Sequence, residues 1–553
     1  MVQKLSGSRR ESNLRVLFGQ RAALGIELAP NTVMIVPSVD GWNDFGHHTR
    51  IDFRIRMRSA SKPVAASGFI GFVAPDADQN GKDLLEQLVA TRGESTVNAT
   101  ADDRFFTMLP DMESYRRLVQ ILDADDATEA LTAVNDLVAL NEFDSTGEIL
   151  EIATQSEVFA LSFMRSSDSY FAYKNAGQLL RGLSSESTGI LSPSLAIRFQ
   201  LPGRGNEHDL KFNFDHAADL PKRIAVIIGK NGVGKSQTLG RIVRAAIDGN
   251  ETLTDGTEGG RPLINRILAF APTNEAESVF PTDKRKRPRI WYQRYSMNRS
   301  RRSRRNDYVS DLIVQVARST QTIASKSRWE IFTEALNAIA APWQINLVTK
   351  ASSATYVPLA GLPNGPEQRV LARFASIDVK KEPARVVGKE GYPLSSGEIS
   401  FLKFAAQASL HIENGSLLLL DEPETHLHPN FISRFVSLLD SLLESTGSSA
   451  IIATHSAYFV REVFREQVTV LSVDSEDMVR VQRPKLRTFG ADVGAISYFV
   501  FGEDEPSRLA GEVERRLLAT NLAWSHIYEQ YKDELSLEML NALRAAIEGK
   551  ERA

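Results

Sequence analysis

The spacing of apolar and polar positions changes along the chain. From Ala23 to Met57 the segments Leu24-Gly-Ile-Glu-Leu, Thr32-Val-Met-Ile-Val and Arg50-Ile-Asp-Phe-Arg-Ile-Arg-Met alternate, with the turn formers Asp40-Gly41 and Asn43-Asp44 between them. A period of two broken by turn residues predicts antiparallel strands. Ser67 to Val73 predicts one more strand and Lys82 to Val89 a helix. Over 104–164 the spacing becomes helical, carried by Leu118, Ile121 and Leu122 and again by Leu131, Val134, Leu137 and Val138. Two further alternating runs, Ser194 to Leu201 and Asp209 to Asp215, precede a change of character.

From there on, short unbroken apolar runs predict strands buried on both faces: Ile224 to Ile228, Ile264 to Ala271, Leu417 to Leu420 and Ala450 to Ala453. Helical spacing follows the first of them (Leu239, Ile242, Val243, Ala246) and returns from Tyr308 to Ala341 and beyond Ala491. The fold class is therefore α/β, a head with a mixed sheet, an N-terminal strand and helical region, and a helical C-terminal tail. The expected divisions are an arm over 1–20, a region over 21–190 that completes part of the head's sheet, the head over 191–480 with an insertion at about 280–390, and the tail over 481–553.

Composition narrows the class of protein. The 553 residues are 42% apolar and 24% charged, as in ordinary globular proteins, and the net charge of −4 leaves no overall preference for a polyanion. A nucleic-acid surface would have to be local. No window reaches the ~20 apolar residues of a membrane span, so no membrane partner and a cytoplasmic location are expected. The chain has no cysteine, which excludes disulfides, thiolate metal sites and cysteine nucleophiles.

The chemistry concentrates at the ends of the apolar runs. After Ile224 to Ile228 come Gly229, Lys230, Asn231, Gly232, Val233, Gly234, Lys235, Ser236 and Gln237, which fit a phosphate-binding loop between strand and helix. Glycines lack a Cβ, so the backbone can curl round an anion and aim N–H groups at it, and the following helix adds its positive end. Lys235 would reach the outer phosphates and the Ser236 hydroxyl would bind Mg²⁺. The run Leu417 to Leu420 ends in Asp421, placed to hold the Mg²⁺ shell, and Glu422, placed to orient or deprotonate an attacking water. A third run ends in Thr454-His455, and His455 is read as a sensor of the terminal phosphate. Parallel strands deliver their C-terminal ends to one crevice, so Gly229, Asp421 and His455 should converge. Upstream, Leu394-Ser-Ser-Gly-Glu opens a helix that Ser395 and Ser396 can cap, and Gly397 lets a phosphate approach. Phe212 or Phe214 could face an adenine, with burial in the core the favoured reading.

In this order the motifs resemble those of the ATP-binding-cassette (ABC) ATPases over about 193–475. The resemblance implies a Walker A loop at Gly229 to Ser236, a signature at Leu394 to Glu398, a Walker B strand ending at Asp421, a catalytic glutamate at Glu422 and a switch histidine at His455. It implies ATP and Mg²⁺ as cofactors. It also implies a homodimer or higher homo-oligomer, in which each ATP lies between one copy's phosphate loop and the other's Ser395, Ser396, Gly397 and Glu398. The signature reads Ser-Ser-Gly-Glu where transporters have Ser-Gly-Gly-Gln, Gln237 stands where Thr is common, and Gln293 is the candidate for the family's glutamine loop.

The string Asp421-Glu-Pro-Glu-Thr-His-Leu-His-Pro is similar to ATPases related to the OLD family and to PtuA of the Septu system, a branch with many anti-phage defence ATPases. His426 and His428 are expected at a subunit interface rather than on a metal. Chromosome-scaffold heads insert a long coiled coil between Walker A and signature, but no heptads run from Ser236 to Leu394. OLD nucleases add a metal-binding Toprim domain, whereas here Asp474-Ser-Glu-Asp477 reads as a hairpin turn. The expectation is an ATPase that controls a separate effector, a nuclease, in bacterial anti-phage defence. Two alternatives stand beside it: a repair or maintenance ATPase that touches nucleic acid through the basic and aromatic stretch Lys284 to Arg305, with Trp291, Tyr292 and Tyr295 stacking on bases, and an ATP-binding scaffold with negligible turnover.

Overall fold

A computed structural model describes residues 14–41, 43–60, 62–73, 81–182, 192–216, 220–271, 279–282, 288–297, 308–323, 326–339, 341–351, 355–427, 429–501, 508–520 and 522–551. The fold is mixed α/β, and its centre is a seven-stranded sheet. The strand order is Trp291–Ser296, Arg266–Ala271, Leu417–Asp421, Ser449–Thr454, Ile224–Gly229, Val468–Val473 and Val479–Gln482. The first six run parallel, and the last turns back as an antiparallel hairpin. Both faces are covered, which is why these strands are apolar throughout. Ile224, Val226 and Ile228 pack against helices on one face, and Ala225 and Ile227 enter a separate core on the other.

The first face carries the helices Val309–Arg318, Arg328–Leu336, Ser396–His411 and Pro429–Thr446. The second carries the helix Lys235–Asp248 and an antiparallel sheet ordered Leu253–Asp255, Ser194–Phe199, His208–Asn213. A four-stranded antiparallel sheet, built from 345–348, 356–358, 384–387 and 390–393, leads into the helix that starts at Ser396.

Among the described residues, the N-terminal region adds no strand to the central sheet. Its strands pair only with one another, in the order Thr96–Asn98, Arg15–Gly19, Thr32–Pro37, Arg50–Arg56, Val64–Phe72, Phe105–Met108. The period-two pattern explains the separation. Ile51, Phe53 and Ile55 all point into a core that this region fills with its own helices, including Tyr115, Leu118 and Leu131. The expected insertion is also corrected, because Trp291–Ser296 is the edge strand of the central sheet. The tail forms helices, three of which share a small core of Leu517, Ile527 and Leu543.

Candidate nucleotide site

Strand register brings the three polar tips together. Thr454 lies beside Ile228, one residue before Gly229, and Asp421 lies beside Ala453, one residue before Thr454. Phosphate loop, acids and histidine therefore share one edge of the sheet.

The loop's backbone needs its glycines. Gly232 and Gly234 have φ of 80° and 103°, values that side chains disfavour. A Cβ at Gly229 would stand 2.2 Å from the Leu471 carbonyl oxygen, and one at Gly234 would stand 2.9 Å from both His208 Nε2 and Leu201 Cδ1. The helix Lys235–Asp248 begins directly after Gly234, with no acidic residue in its first turn, so its dipole is left for an anion. Lys235 is 5% exposed, and its Nζ donates to the Gly229 and Lys230 carbonyls at 2.9 and 3.0 Å. Burial lowers its pKa, opposed by Glu422, Glu424 and Asp421. Of the other loop residues, Lys230, Asn231 and Gly232 are exposed, Val233 is in the core, and Ser236 and Gln237 are half-buried in the helix's first turn.

Asp421 is buried, and burial pushes its carboxyl up to about 6, a rise that Glu422 and Glu424 reinforce and that the Ser236 hydroxyl and Lys235 oppose. Its Oδ1 has no hydrogen-bond partner among the described residues. A buried orphan carboxylate oxygen beside a hydroxyl is a donor set that suits a hard, oxygen-seeking cation such as Mg²⁺. Glu422 sits at φ 43°, in left-handed backbone that costs a non-glycine residue about 1–2 kcal/mol. Its amide is fixed to the Ala453 carbonyl at 2.8 Å, and its carboxylate stands 3.9 Å from His455 Nδ1.

Glu424 is a site residue that motif reading missed. Its Oε1 lies 3.1 Å from His455 Nδ1 and accepts from the His455 amide at 2.9 Å and the Thr454 hydroxyl at 2.5 Å. It stands in the string Asp421 to Pro429, which gave it no role. Arg204 and His208 were missed as well. Arg204 donates to the Gly232 carbonyl at 2.8 Å and pairs with Asp477 at 2.7 Å, while His208 stacks on Phe199 with centroids 4.6 Å apart. Phe212 and Phe214 are core residues, 1% and 5% exposed.

The signature residues stand apart. Ser395 caps its helix in a reciprocal box with Glu398, whose carboxylate also pairs with Arg385. Burial raises the Glu398 pKa, but the bonds from Ser395 and Arg385 outweigh it and leave the group below its ordinary value. Ser395 and Ser396 are exposed and Gly397 is buried. Phe401, Leu402 and Phe404 of this helix belong to the same core as Ile224, Val226 and Ile228, whereas Leu239, Ile242 and Val243 of the loop helix belong to the core of Ala225 and Ile227. Signature and phosphate loop thus belong to elements on opposite faces of the sheet.

Several expected positions are corrected. Gln293 is mid-strand at the sheet edge, beside Leu268, and is not at the tip that holds Asp421. Tyr292 and Tyr295 are 8% and 7% exposed and serve the core, while Trp291 is half-buried and stacks on His411. Residues 283–287 and 298–307 of the basic stretch lie outside the described residues, as do the side chain of His426 and all of His428. Asp474 and Asp477 form a hairpin turn in which Asp474 accepts from Glu476, Met478 and Arg480. Among the described residues no three His, Asp or Glu cluster as a metal site.

Comparison with known proteins agrees with this geometry. The family described as "AAA domain, putative AbiEii toxin, Type IV TA system" matches residues 224–461. The matched segment contains the phosphate loop, the strand that ends at Asp421 and the strand that leads to His455, within the mixed α/β fold described above. Protein ea59 of Escherichia phage lambda is 32% identical over 132 residues, which are 24% of this chain and 25% of ea59. UvrABC system protein A of Chlamydia muridarum is 36% identical over 75 residues, 14% of this chain and 4% of that protein. The chain thus spans a quarter or less of these two relatives. Among solved structures, the SMC head domain from Thermotoga maritima aligns at 12% identity and TM-score 0.26, covering 53% of this chain and 98% of the head. The cbiO1 subunit from Clostridium perfringens, part of the ABC transporter complex cbiONQ, aligns at 16% and 0.26, covering 59% and 96%. At such scores the strand order and the loop identify the fold, and the alignments add nothing to them. No described helix is long and apolar enough to cross a membrane.

Proposed function

We propose that the chain binds ATP at the loop Gly229 to Gln237 and hydrolyses it, and that its nucleotide state controls a separate effector in anti-phage defence. One observation carries the reading: the register that sets Gly229, Asp421 and His455 along one sheet edge, with Lys235 buried among three carboxylates. Lys235 exchanges its two carbonyl partners for phosphate oxygens. Ser236 and Asp421 would hold Mg²⁺, which when bound would neutralise charge on those oxygens. Glu422 accepts the proton of the attacking water, and His455 meets the terminal phosphate.

The exposed Ser395–Ser396 tip lies on the far face from its own loop, which supports completion of each site by a second copy's Ser395, Ser396, Gly397 and Glu398. A phosphate that touches both copies and then departs makes the assembly a switch. The defence role and the effector, a nuclease, rest on the Asp421-to-Pro429 string and on the toxin named in the matching family's description. Phosphate release measured on wild type, Lys235→Ala and Glu422→Gln tests the chemistry. Turnover in wild type alone is expected, and equal rates in all three would overturn it. Co-purification with Glu422→Gln tests the role: a bound protein effector supports it, and DNA alone overturns it in favour of direct action on nucleic acid.

A further inference from the structure

Glu424 occupies the short turn Pro423–His426 that follows the acid strand, and its side chain crosses to the tip of the neighbouring strand. One oxygen, Oε1, gathers the Thr454 hydroxyl, the His455 amide and His455 Nδ1. The other, Oε2, is buried without a hydrogen-bond partner among the described residues, on a side chain 8% exposed. The His455 ring itself is half-exposed, so packing alone does not fix it. A carboxylate only accepts, so Nδ1 must carry the proton on that side and Nε2 is the nitrogen presented outward.

We propose that Glu424 is the positioning residue of this site: it sets both the backbone and the tautomer of His455, and so aims Nε2 at the terminal phosphate. The proposal deepens the ATPase reading and rests on it. Glu422 cannot do this work from where it stands, since its carboxylate is 3.9 Å from Nδ1 and its backbone is fixed to the Ala453 carbonyl. Loss of the Glu424 carboxylate frees the ring, and a misplaced group costs far more in rate than in binding. Glu424→Ala is therefore expected to lower kcat about 10–100-fold while KM for ATP moves less than about threefold. Glu424→Gln keeps an acceptor oxygen and recovers most of the loss.

The test is a double-mutant cycle with His455→Ala, run on the full chain and paired with ring ¹⁵N NMR of His455. In the His455→Ala background, Glu424→Ala is expected to change kcat by less than about twofold, because its partner is gone. Wild type is expected to show a protonated, hydrogen-bonded Nδ1 that Glu424→Ala loses and Glu424→Gln retains. Additive losses in the cycle, or a Gln variant as slow as the Ala variant, overturn the positioning role. If wild type itself releases no phosphate, the ATPase reading fails separately, and the NMR comparison still decides whether Glu424 sets the tautomer. An Nδ1 signal unchanged by Glu424→Ala overturns the proposal.

Discussion

Arg116→Met should weaken the link between the N-terminal region and the central domain at one buried carboxylate. Glu413 follows the signature helix and is 5% exposed, yet it carries a charge held by arginines from separate elements. Arg116, from the N-terminal helix Met112–Leu122, reaches it at 3.0 Å; Arg328 pairs with it from the helical layer, and Arg266 stands 4.0 Å away. Arg328 also donates to the Ser409 and Ile412 carbonyls at 3.0 and 2.7 Å, so the cluster closes the C-terminal end of the helix whose other end is the signature. Burial alone would raise the Glu413 pKa, but Arg116, Arg328 and Arg266 outweigh it and hold it below 4.5.

Breaking a buried pair costs about 3–5 kcal/mol, and Arg116→Met belongs at about 3 because Glu413 keeps Arg328. Glu413→Gln belongs at about 5, since it takes one shared charge from both Arg116 and Arg328. In urea, with a slope of about 1–3 kcal/mol per molar, the Arg116→Met loss moves the unfolding midpoint of the N-terminal region down by roughly 1–3 M. A depressed carboxyl stabilises above its unfolded pKa and loses that contribution as pH falls through its folded value. The difference between wild type and Arg116→Met should therefore persist from neutral pH down to 4.5, shrink below that and vanish once pH is under the folded value. Near-UV circular dichroism across a urea series reads both. A midpoint shift under about 0.3 M at pH 7, or a gap unchanged in acid, would refute the coupling.

Asp421 behaves in the opposite sense. Its folded pKa, about 6, lies above the ordinary 3.8, so the neutral form is favoured and stability is lost as pH rises through 6. Asp421→Asn should therefore stabilise the nucleotide-free protein at pH 8 by up to about 3 kcal/mol, and by nothing below pH 4, in thermal melts with EDTA. Glu422→Gln should slow phosphate release about 10²–10⁴-fold while leaving ATP affinity intact, measured by single-turnover kinetics beside equilibrium binding. Tyr295 stacks on Phe270 at 5.0 Å, and Tyr295→Ala should cost about 3–5 kcal/mol of stability, read by urea unfolding. A loss of nucleic-acid affinity with stability unchanged would contradict its place in the core.

Much of the central site was legible in the sequence because parallel strands do not interleave their tips. Once Ile224 to Ile228, Leu417 to Leu420 and Ala450 to Ala453 are read as strands of one sheet, Gly229, Asp421 and His455 must fall on one edge. What stayed hidden depends on partners far away in the chain. Alternation in Arg50 to Met57 marks a strand, but it cannot say that the strand pairs with Thr32–Pro37 and Val64–Phe72 and never with the ATPase sheet. Interleaved arginines and aromatics in 289–295 read equally as a binding surface or as a sheet edge, and only the neighbouring strand Arg266–Ala271 turns Tyr292 and Tyr295 inward. Glu413 lies in no motif, and the string that contains Glu424 gives it no role. Each is defined by the groups that face it: guanidiniums from three elements for Glu413, and the tip of a neighbouring strand for Glu424.

The shared site is tested most directly by mixing two inactive chains, Lys235→Ala, which lacks a working loop, and Gly397→Asp, which lacks a working signature. Each alone should release no phosphate. If loop and signature come from different copies, a mixed dimer holds one intact site, and random pairing should return about a quarter of wild-type turnover. Turnover that stays at zero in a mixture shown to form mixed dimers would mean that each chain builds its site alone, and the account would be wrong.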